Sequence, residues 1–284
     1  MCSSDLSRNA GSWPCCAECT TSRSLAPVRL PGLSFAPMTP SPAFDVTVRR
    51  GEGGGGAAKR SYVRSMFAAI APRYDFLNHL LSLNLDRRWR RAAVRRLGWE
   101  SRPDGLYLDL CAGTLDLAAT LARESRFRGS VIGADFVLPM LQRGRGKAGR
   151  TYPLAADALA LPFADRQFDG AMVAFGVRNL TDPDAGLVEA ARVLKPGARL
   201  VVLEFTTPRS GPLRDLYLFY FQRVLPAIGR VVSKHRDAYT YLPESVLQFP
   251  DPADLARRFA AAGFEGVGYE LLTGGICALH HGTR

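Results

Sequence analysis

Short apolar runs alternate along the chain with segments in which apolar residues recur at helical spacing. The first clear case is 107–118, where an apolar run passes through a turn of small residues at 112–114 and continues as an amphipathic segment. A buried parallel strand that turns sharply into a helix has this pattern. Small residues in such a turn let a ligand approach the main chain and the unpaired N–H groups at the start of the helix.

The same alternation continues to the end of the chain. Further strands are predicted at 130–135, just before 155, at 170–175 and at 200–205. Helices are predicted at 184–195, ended by Pro196-Gly197, and at 254–262, ended by Gly263. Residues 264–272 and 275–281 favour an antiparallel hairpin. The pattern predicts an α/β protein with a doubly wound, Rossmann-like, mostly parallel sheet and an antiparallel C-terminal hairpin.

Carboxylates lie at the ends of three of these strands. Asp109 lies inside the first apolar run, where a charge is costly unless it is paired or faces a ligand. Asp135 ends the second strand, from which a carboxylate reaches the ribose hydroxyls of a nucleotide. Asp157, followed by Ala158, comes after the third strand, where an acid and a small residue can bond an adenine amino group.

This arrangement of strand-end acids resembles class I S-adenosylmethionine (SAM)-dependent methyltransferases. A nicotinamide site is disfavoured because the first turn lacks the glycine fingerprint G-x-G-x-x-G. One alternative stays open, in which the three acids only cap helices of a Rossmann-like fold.

The N-terminal fifth of the chain has a different composition. Residues 1–56 are rich in Ser, Pro, Gly and Cys, have no helical or strand periodicity and end in a glycine run. We predict a disordered tail and flexible linker there, and a folded domain at 57–284. The tail lacks the charged start and apolar centre of a secretory signal, and we interpret Met38 as the native start.

Residues 57–100 are predicted to be helical. Val63, Met66, Phe67 and Ile70 recur at helical spacing before a break at Pro72. The following stretch, 74–89, interleaves aromatic, amide, hydroxyl and acidic side chains with apolar ones. We interpret the segment as a helical cap over a ligand. The alternative is an N-terminal helix pair packed on the sheet.

A specific resemblance rests on two separate motifs. Tyr74-Asp-x-x-Asn78-x-x-x-Ser82, followed by Trp89, matches the first signature of the UbiE-type ubiquinone/menaquinone biosynthesis C-methyltransferases. The second signature of that family is matched by 192–205, Arg-Val-Leu-Lys-Pro-Gly-Ala-Arg-Leu-Val-Val-Leu-Glu-Phe. The resemblance extends from about residue 62 to residue 282. It implies methylation of a prenylated quinol ring, either demethylmenaquinol, which we favour, or the ubiquinone precursor 2-methoxy-6-polyprenyl-benzoquinol.

The resemblance also implies a SAM site, and this chain departs from the family pattern in two places. The implied cofactor-binding residues are Asp109, Gly113, Thr114, Asp135, Met140, Asp157, Ala158 and Ala174. Leu115 replaces the second glycine of the usual Gly-Thr-Gly-Asp turn, and must either adopt an ordinary helical conformation or strain the loop. Ala174 stands where family members often have serine. We expect SAM binding to survive both changes.

The chemistry of C-methylation decides which acceptor-side residues matter. Deprotonating a ring hydroxyl makes the neighbouring carbon nucleophilic, so the site must stabilise a phenolate and exclude water. We predict that Arg178 stabilises the phenolate, with Asn179 beside it, and that Tyr74 and Asn78 orient the ring. Arginine stays protonated, so a water on Arg178 or the carboxylate of Asp75 is the expected proton acceptor. In the alternative, Arg178 and Asn179 only fix their loop.

An apolar insertion at 207–250 separates the second signature from the last helix. Ten apolar residues fall between 213 and 228, too many for a helix with one buried face. We interpret the insertion as a lid over an apolar pocket or a contact with the bilayer interface; a buried core helix is the alternative.

The formal net charge of +11 indicates that anionic partners must be considered. Arginines cluster at 87–96 and 143–150, which fits a solvated face, an anionic membrane or nucleic acid. No RNA-binding signature accompanies them, so we expect no nucleic-acid partner, although an RNA methyltransferase and a non-catalytic assembly subunit remain alternatives.

No apolar stretch is long enough to span a membrane, and no metal site is predicted. We expect a cytoplasmic enzyme that is peripheral to the inner face of the membrane. A homodimer is left open.

Overall fold

The computed structural model describes residues 54–224 and 237–284. Its centre is a seven-stranded sheet with the strand order β3-β2-β1-β4-β5-β7-β6. The strands are β1 (Leu106–Leu110), β2 (Ser130–Asp135), β3 (Thr151–Ala155), β4 (Phe168–Ala174), β5 (Leu194–Phe205), β6 (Glu265–Leu272) and β7 (Cys277–Thr283). Strands β1 to β5 are parallel, and β7 pairs antiparallel with both β5 and β6. The prediction of a doubly wound sheet with an antiparallel C-terminal pair is confirmed.

Helices lie before the sheet, between its strands and after β5. They are α1 (Gly54–Ile70), α2 (Tyr74–Leu81), α3 (Leu85–Leu97), α4 (Asp116–Ala122), α5 (Leu138–Gly144), α6 (Pro183–Val193), α7 (Pro212–Phe219), α8 (Asp237–Gln248) and α9 (Pro252–Ala261). Single helical turns lie at Ala71–Arg73, Trp99–Ser101, Val177–Asn179, Tyr220–Val224 and Thr273–Gly275. Within the described ranges no helix is both long enough and apolar enough to cross a bilayer.

The predicted end of α6 is wrong. The helix stops at Val193 and β5 begins at Leu194, so Pro196 and Gly197 lie inside the strand rather than at a helix end. Phe168 of β4 pairs with Leu194 of β5, and the next pair is Gly170 with Arg199. Between these two pairs β4 advances by two residues and β5 by five. A β-irregularity absorbs the extra residues, and Gly197 supplies its positive φ of 77°.

One face of the sheet is covered by α3 and α4. Large buried side chains from both helices share a core with β1, β4, β5 and β7: Trp89, Leu97, Trp99, Tyr107, Leu121, Phe127, Met172 and Leu203. Trp89 contacts the rings of Phe175 and Phe205 edge-on, and its Nε1–H donates to Thr273 Oγ1 at 2.9 Å. This core fixes α3 against the carboxyl ends of β4 and β5.

Helix α1 is attached to two loops at the carboxyl edge of the sheet. Lys59 Nζ donates to the main-chain oxygens of Arg178, at 3.2 Å, and Leu180, at 2.6 Å. Arg60 forms an ion pair with Asp157 at 2.8 Å. The helix therefore lies over the loops that follow β3 and β4.

The insertion after β5 is amphipathic where the structure describes it. Tyr217 and Phe221 are buried, whereas Leu216 is 64% exposed and Phe219 is 59% exposed. The alternative of a fully buried core helix is therefore wrong for α7. Part of the predicted lid, 225–236, lies outside the described residues.

Candidate active site

The turn after β1 is held by the acid at the end of β2. Asp135 Oδ2 accepts from Gly113 N at 2.8 Å, and Asp135 Oδ1 accepts from Val137 N at 2.8 Å. Burial raises the pKa of Asp135, while these main-chain donors oppose the rise. Gly113 has a φ of 52°, a left-handed conformation that costs glycine little. The second strand's acid and the first strand's turn thus form one unit.

Asp109 is buried in β1 beside the start of α4. Its side chain accepts from Ala118 N at 2.9 Å, and the residue is 1% exposed. Burial raises the pKa of Asp109 to about 8, with the Ala118 N–H and the charge of Arg90 acting in the opposite direction. A carboxyl group with this pKa is largely protonated at pH 7, so a cation placed nearby would ionise it.

Of the two conformations predicted for Leu115, ordinary helical or strained, the structure has the strained one. Its φ is 62° and ψ is 24°, the left-handed region, at the residue before α4. The side chain is fully buried and fills space left by two glycines: a Cβ on Gly133 would come within 2.1 Å of Leu115 Cδ2, and one on Gly144 within 2.8 Å of Leu115 Cγ. Burial of the leucine side chain offsets the backbone strain.

The other predicted cofactor residues lie along the same edge of the sheet. Thr114 is 2% exposed. A Cβ placed on Gly113 would lie 3.5 Å from Met140 Cε. Asp157 accepts from Leu159 N at 3.1 Å in addition to its ion pair with Arg60, and Ala158 is buried beside it. Ala174 ends β4 and packs on the main core. The predicted set therefore lies near the carboxyl ends of four parallel strands and in the segments that follow them.

A cavity of about 380 Å³ lies beside this edge. Its walls come from α1, α2, α3, the loop after β4, the end of β5, α7 and the turn after it, α8, and the turn before β7. Most of the lining side chains are aromatic or aliphatic: Met66, Phe67, Ile70, Leu83, Leu85, Trp89, Phe175, Phe205, Leu213, Leu216, Phe221, Leu242 and Ile276. A few polar side chains interrupt the apolar surface: Tyr74, Asn78, Ser82, Asp86, Arg90, Arg178, Tyr217, Tyr220 and Tyr241. Cavities of this size and lining suit an apolar ligand with a small polar head.

Arg178 occupies the centre of the site. Its Nη1 donates to Phe175 O and to Glu204 Oε1, both at 2.6 Å, and the guanidinium lies 5.5 Å from the centre of the Phe205 ring. Two buried polar atoms in the cavity wall have no hydrogen-bond partner among the described residues: Arg178 Nε and the hydroxyl of Tyr217. Buried polar groups are rarely left unpaired, so each of these two atoms calls for a hydrogen-bond partner that the described residues do not supply.

The remaining predicted acceptor residues divide into two groups. Tyr74 and Asn78 line the cavity, and burial raises the pKa of Tyr74. Asp75 and Asn179 are not among the lining residues. Asp75 accepts from Thr114 Oγ1 and from Lys147 Nζ, both at 2.5 Å. Asn179 donates to Phe175 O at 3.2 Å and accepts from Tyr241 at 3.0 Å, so it holds the loop after β4.

Several site residues were missed by sequence reasoning. Glu204 anchors Arg178, Tyr217 faces the cavity, and Lys147 joins Asp75 to Asp116. Glu204 lies inside the second signature, a signal that could have identified it. Lys147 and Tyr217 carry no comparable local signal, because their partners are distant in sequence.

The fold and the strand-end loops define a class I SAM-dependent methyltransferase. The chain resembles the crystal structure of a SAM-dependent methyltransferase from Thermotoga maritima, with a TM-score of 0.53 and 20% identity over 77% of this chain and 99% of that one. This likeness concerns the fold.

Sequence comparison gives the family. The model of the ubiE/COQ5 methyltransferase family matches residues 56–284. The demethylmenaquinone methyltransferase of Thermus thermophilus is 52% identical over 77% of this chain and all of its own length. The ubiquinone/menaquinone biosynthesis C-methyltransferase UbiE of Geobacter sulfurreducens is 44% identical over 80% of this chain and 90% of its own. The chain belongs to the ubiE/COQ5 methyltransferase family, and it is an enzyme that uses SAM as methyl donor.

Proposed function

We propose that the enzyme methylates a ring carbon of a prenylated quinol, converting demethylmenaquinol to menaquinol. The observation that carries this proposal is the pair of unpaired polar atoms, Arg178 Nε and the Tyr217 hydroxyl, in residues that line a mostly apolar cavity. A ring hydroxyl satisfies both atoms, and the apolar wall accommodates a prenyl tail. The named relatives support the substrate class. The ubiquinone precursor is the second candidate, supported by the dual name of the Geobacter relative.

The cofactor-side residues fit SAM in polarity and charge. Asp135 and Asp157 would hold its ribose and adenine, and Gly113 and Thr114 would let its methionine part approach the main chain. Asp109 places a buried acid near the turn, where a cationic ligand would compensate the burial. Bound SAM supplies an electrophilic methyl group that needs alignment more than activation.

The acceptor-side residues would prepare the ring. Loss of a hydroxyl proton gives a phenolate, which the Arg178 guanidinium stabilises while remaining protonated. The ring carbon would take the methyl group that bound SAM supplies, and the methyl–sulfur bond would break as the new carbon–carbon bond forms. The hydrogen on that carbon is lost as the aromatic ring reforms and the oxygen is reprotonated, so one proton is released overall. We propose a water held by the Arg178 guanidinium as the first proton acceptor, because Asp75 is engaged by Thr114 and Lys147 outside the cavity wall.

We further propose that the cavity opens onto an anionic bilayer, with the described parts of the insertion, 207–224 and 237–250, as a lid. Apolar side chains of the cavity wall are exposed: Leu83 at 80%, Leu216 at 64% and Leu213 at 39%. Phe219 follows them on α7. Exposed arginines on the same elements, Arg87, Arg88 and Arg214, complement anionic lipid headgroups.

The test is direct transfer. The full chain is titrated with SAM by calorimetry and then incubated with a short-tailed demethylmenaquinol, with mass spectrometry of the product. A gain of one methyl group is the expected result. SAM binding without transfer to this quinol, but with transfer to the benzoquinol precursor, would favour the second candidate. Transfer to neither acceptor would overturn the proposal.

A further inference from the structure

The cavity wall contains another charged group, Asp86, that the reaction described above does not use. Asp86, in the first turn of α3, lines the cavity and is 2% exposed. Its Oδ1 accepts from Ser82 Oγ at 2.8 Å. Its Oδ2 accepts from Arg90 Nη1 and lies 2.8 Å from His79 Nδ1. The hydrogen-bond partners of Asp86 differ from those of Arg178, which donates to Phe175 O and Glu204.

Asp86 is held in its ionised form. Burial alone would raise its pKa, but Arg90, Ser82 and His79 together lower the pKa below its usual value. An ionised carboxylate accepts hydrogen bonds and donates none. Among the described residues Ser82 is the one donor to Oδ1, so this oxygen can accept a second hydrogen bond from a bound molecule.

A para-dihydroxy ring carries two O–H groups at opposite ends. With one O–H group at Arg178, the other can donate a hydrogen bond to another acceptor in the cavity wall. The oxidised ring carries carbonyl oxygens in both places, and these only accept. Facing a buried carboxylate, a carbonyl forms no hydrogen bond and is repelled by the negative charge. Only the reduced ring is electron-rich enough at carbon to take a methyl group, so binding the oxidised ring would block the site without reaction.

We propose that Asp86 is a specificity-determining residue that selects the reduced ring, by accepting a hydrogen bond from the hydroxyl opposite Arg178, and disfavours the quinone. This inference rests on the proposed function, since it needs a quinol as the acceptor. A lost hydrogen bond to a charged group corresponds to a preference of roughly 10- to 100-fold. Asp86 provides this preference through binding and requires no part in the methyl transfer.

The test is equilibrium binding of one ring in two redox states. Quenching of tryptophan fluorescence, with Trp89 in the cavity wall, reports binding of a short-tailed demethylmenaquinol under anaerobic reduction and of its quinone. The full wild-type chain is expected to bind the quinol roughly 10- to 100-fold more tightly. Asp86→Asn keeps the shape and offers an N–H to a carbonyl, so the preference should fall to near unity. Asp116→Asn is the matched control, because Asp116 also contacts Arg90, at 3.6 Å, but does not line the cavity.

Several outcomes would overturn the inference. Equal binding of quinol and quinone by the wild-type protein would do so without any variant, which protects the test if Asp86→Asn does not fold. A folded Asp86→Asn protein with the wild-type preference, or an Asp116→Asn protein that loses it equally, would also do so. Failure of both ring forms to bind would overturn the proposed function itself, and this inference with it.

Discussion

Arg178 and Glu204 form a buried ion pair at 2.6 Å between the loop after β4 and the end of β5. Their side chains are 7% and 1% exposed, and Glu204 Oε2 also accepts from Arg178 N at 3.3 Å. Removing one partner of such a pair leaves an uncompensated charge in the protein interior. Glu204 therefore acts as a positioning residue, which fixes the guanidinium at the cavity wall.

Arg178→Ala is expected to lower kcat by roughly 100-fold, because one preorganised donor to a developing negative charge contributes about that factor. Its effect on the Kd for SAM should be less than about 3-fold, since Arg178 faces the acceptor cavity. Steady-state kinetics and calorimetry measure the two quantities. Arg257→Ala, on the surface of α9 with a 70% exposed side chain, is the control. Equal losses in turnover and SAM affinity would refute the assignment.

Leu115→Gly should destabilise the protein although it relieves backbone strain. Relief of the left-handed conformation is worth about 1–2 kcal/mol, whereas removing a fully buried leucine side chain costs about 3–5 kcal/mol. The net loss is about 1–4 kcal/mol, measured by urea denaturation. Leu83→Gly is the matched control, because Leu83 also has a positive φ, 51°, but is 80% exposed. A loss for Leu83→Gly as large as that for Leu115→Gly would contradict the explanation.

His280 should make the fold sensitive to acid. Its Nε2–H donates to Pro252 O at 2.8 Å, and burial lowers its pKa from 6.5 to about 4. Between pH 6.5 and 4 the unfolded chain therefore binds more protons at this residue than the folded chain does. The contribution of His280 to the free energy of unfolding is complete above pH 6.5 and falls by about 3 kcal/mol as the pH drops towards 4. His280→Gln keeps a donor and should remove most of this slope in denaturation curves at several pH values. An unchanged slope would assign the acid sensitivity to other groups.

Binding of SAM should release a proton near pH 7. The pKa of Asp109 is about 8 without a ligand, and the positive charge of SAM favours the ionised carboxylate. SAM affinity should therefore rise with pH up to about 8. Calorimetry in buffers of different ionisation enthalpy measures the released proton directly. Asp109→Asn should abolish the buffer dependence; its persistence would place the proton on another group.

Association with anionic vesicles should depend on α7. Replacing both Leu216 and Phe219 with Ser removes two exposed apolar side chains, and flotation with vesicles containing anionic lipid should fall several-fold. Wild-type binding should weaken at high salt, because exposed arginines contribute. Leu271→Ser on β6, with a 42% exposed side chain, is the control. Equal flotation of all three proteins would argue against this contact surface.

The sequence predicted the sheet well because its strands follow local patterns of apolar residues, but local patterns do not orient single side chains. Arg178 and Asn179 are adjacent in a 3₁₀ turn with three residues per turn, so they point in different directions. Only Arg178 reaches the cavity. The roles of Glu204 and Lys147 depend on partners 26 and 72 residues away, which no spacing rule reveals. The end of α6 was misplaced because Pro196-Gly197 serves equally well in a strand irregularity.

The attachments of the N-terminal helices also determine when the site can assemble. Lys59 bonds main-chain oxygens 119 and 121 residues further on, Asp75 bonds Lys147, and Trp89 bonds Thr273 at a separation of 184 residues. During synthesis these helices leave the ribosome first, yet their partners emerge much later. Contacts at such separations form late, after the sheet has brought their partners together. The helices that precede the sheet in the chain are thus the last to dock, and until then their apolar faces need protection from other chains.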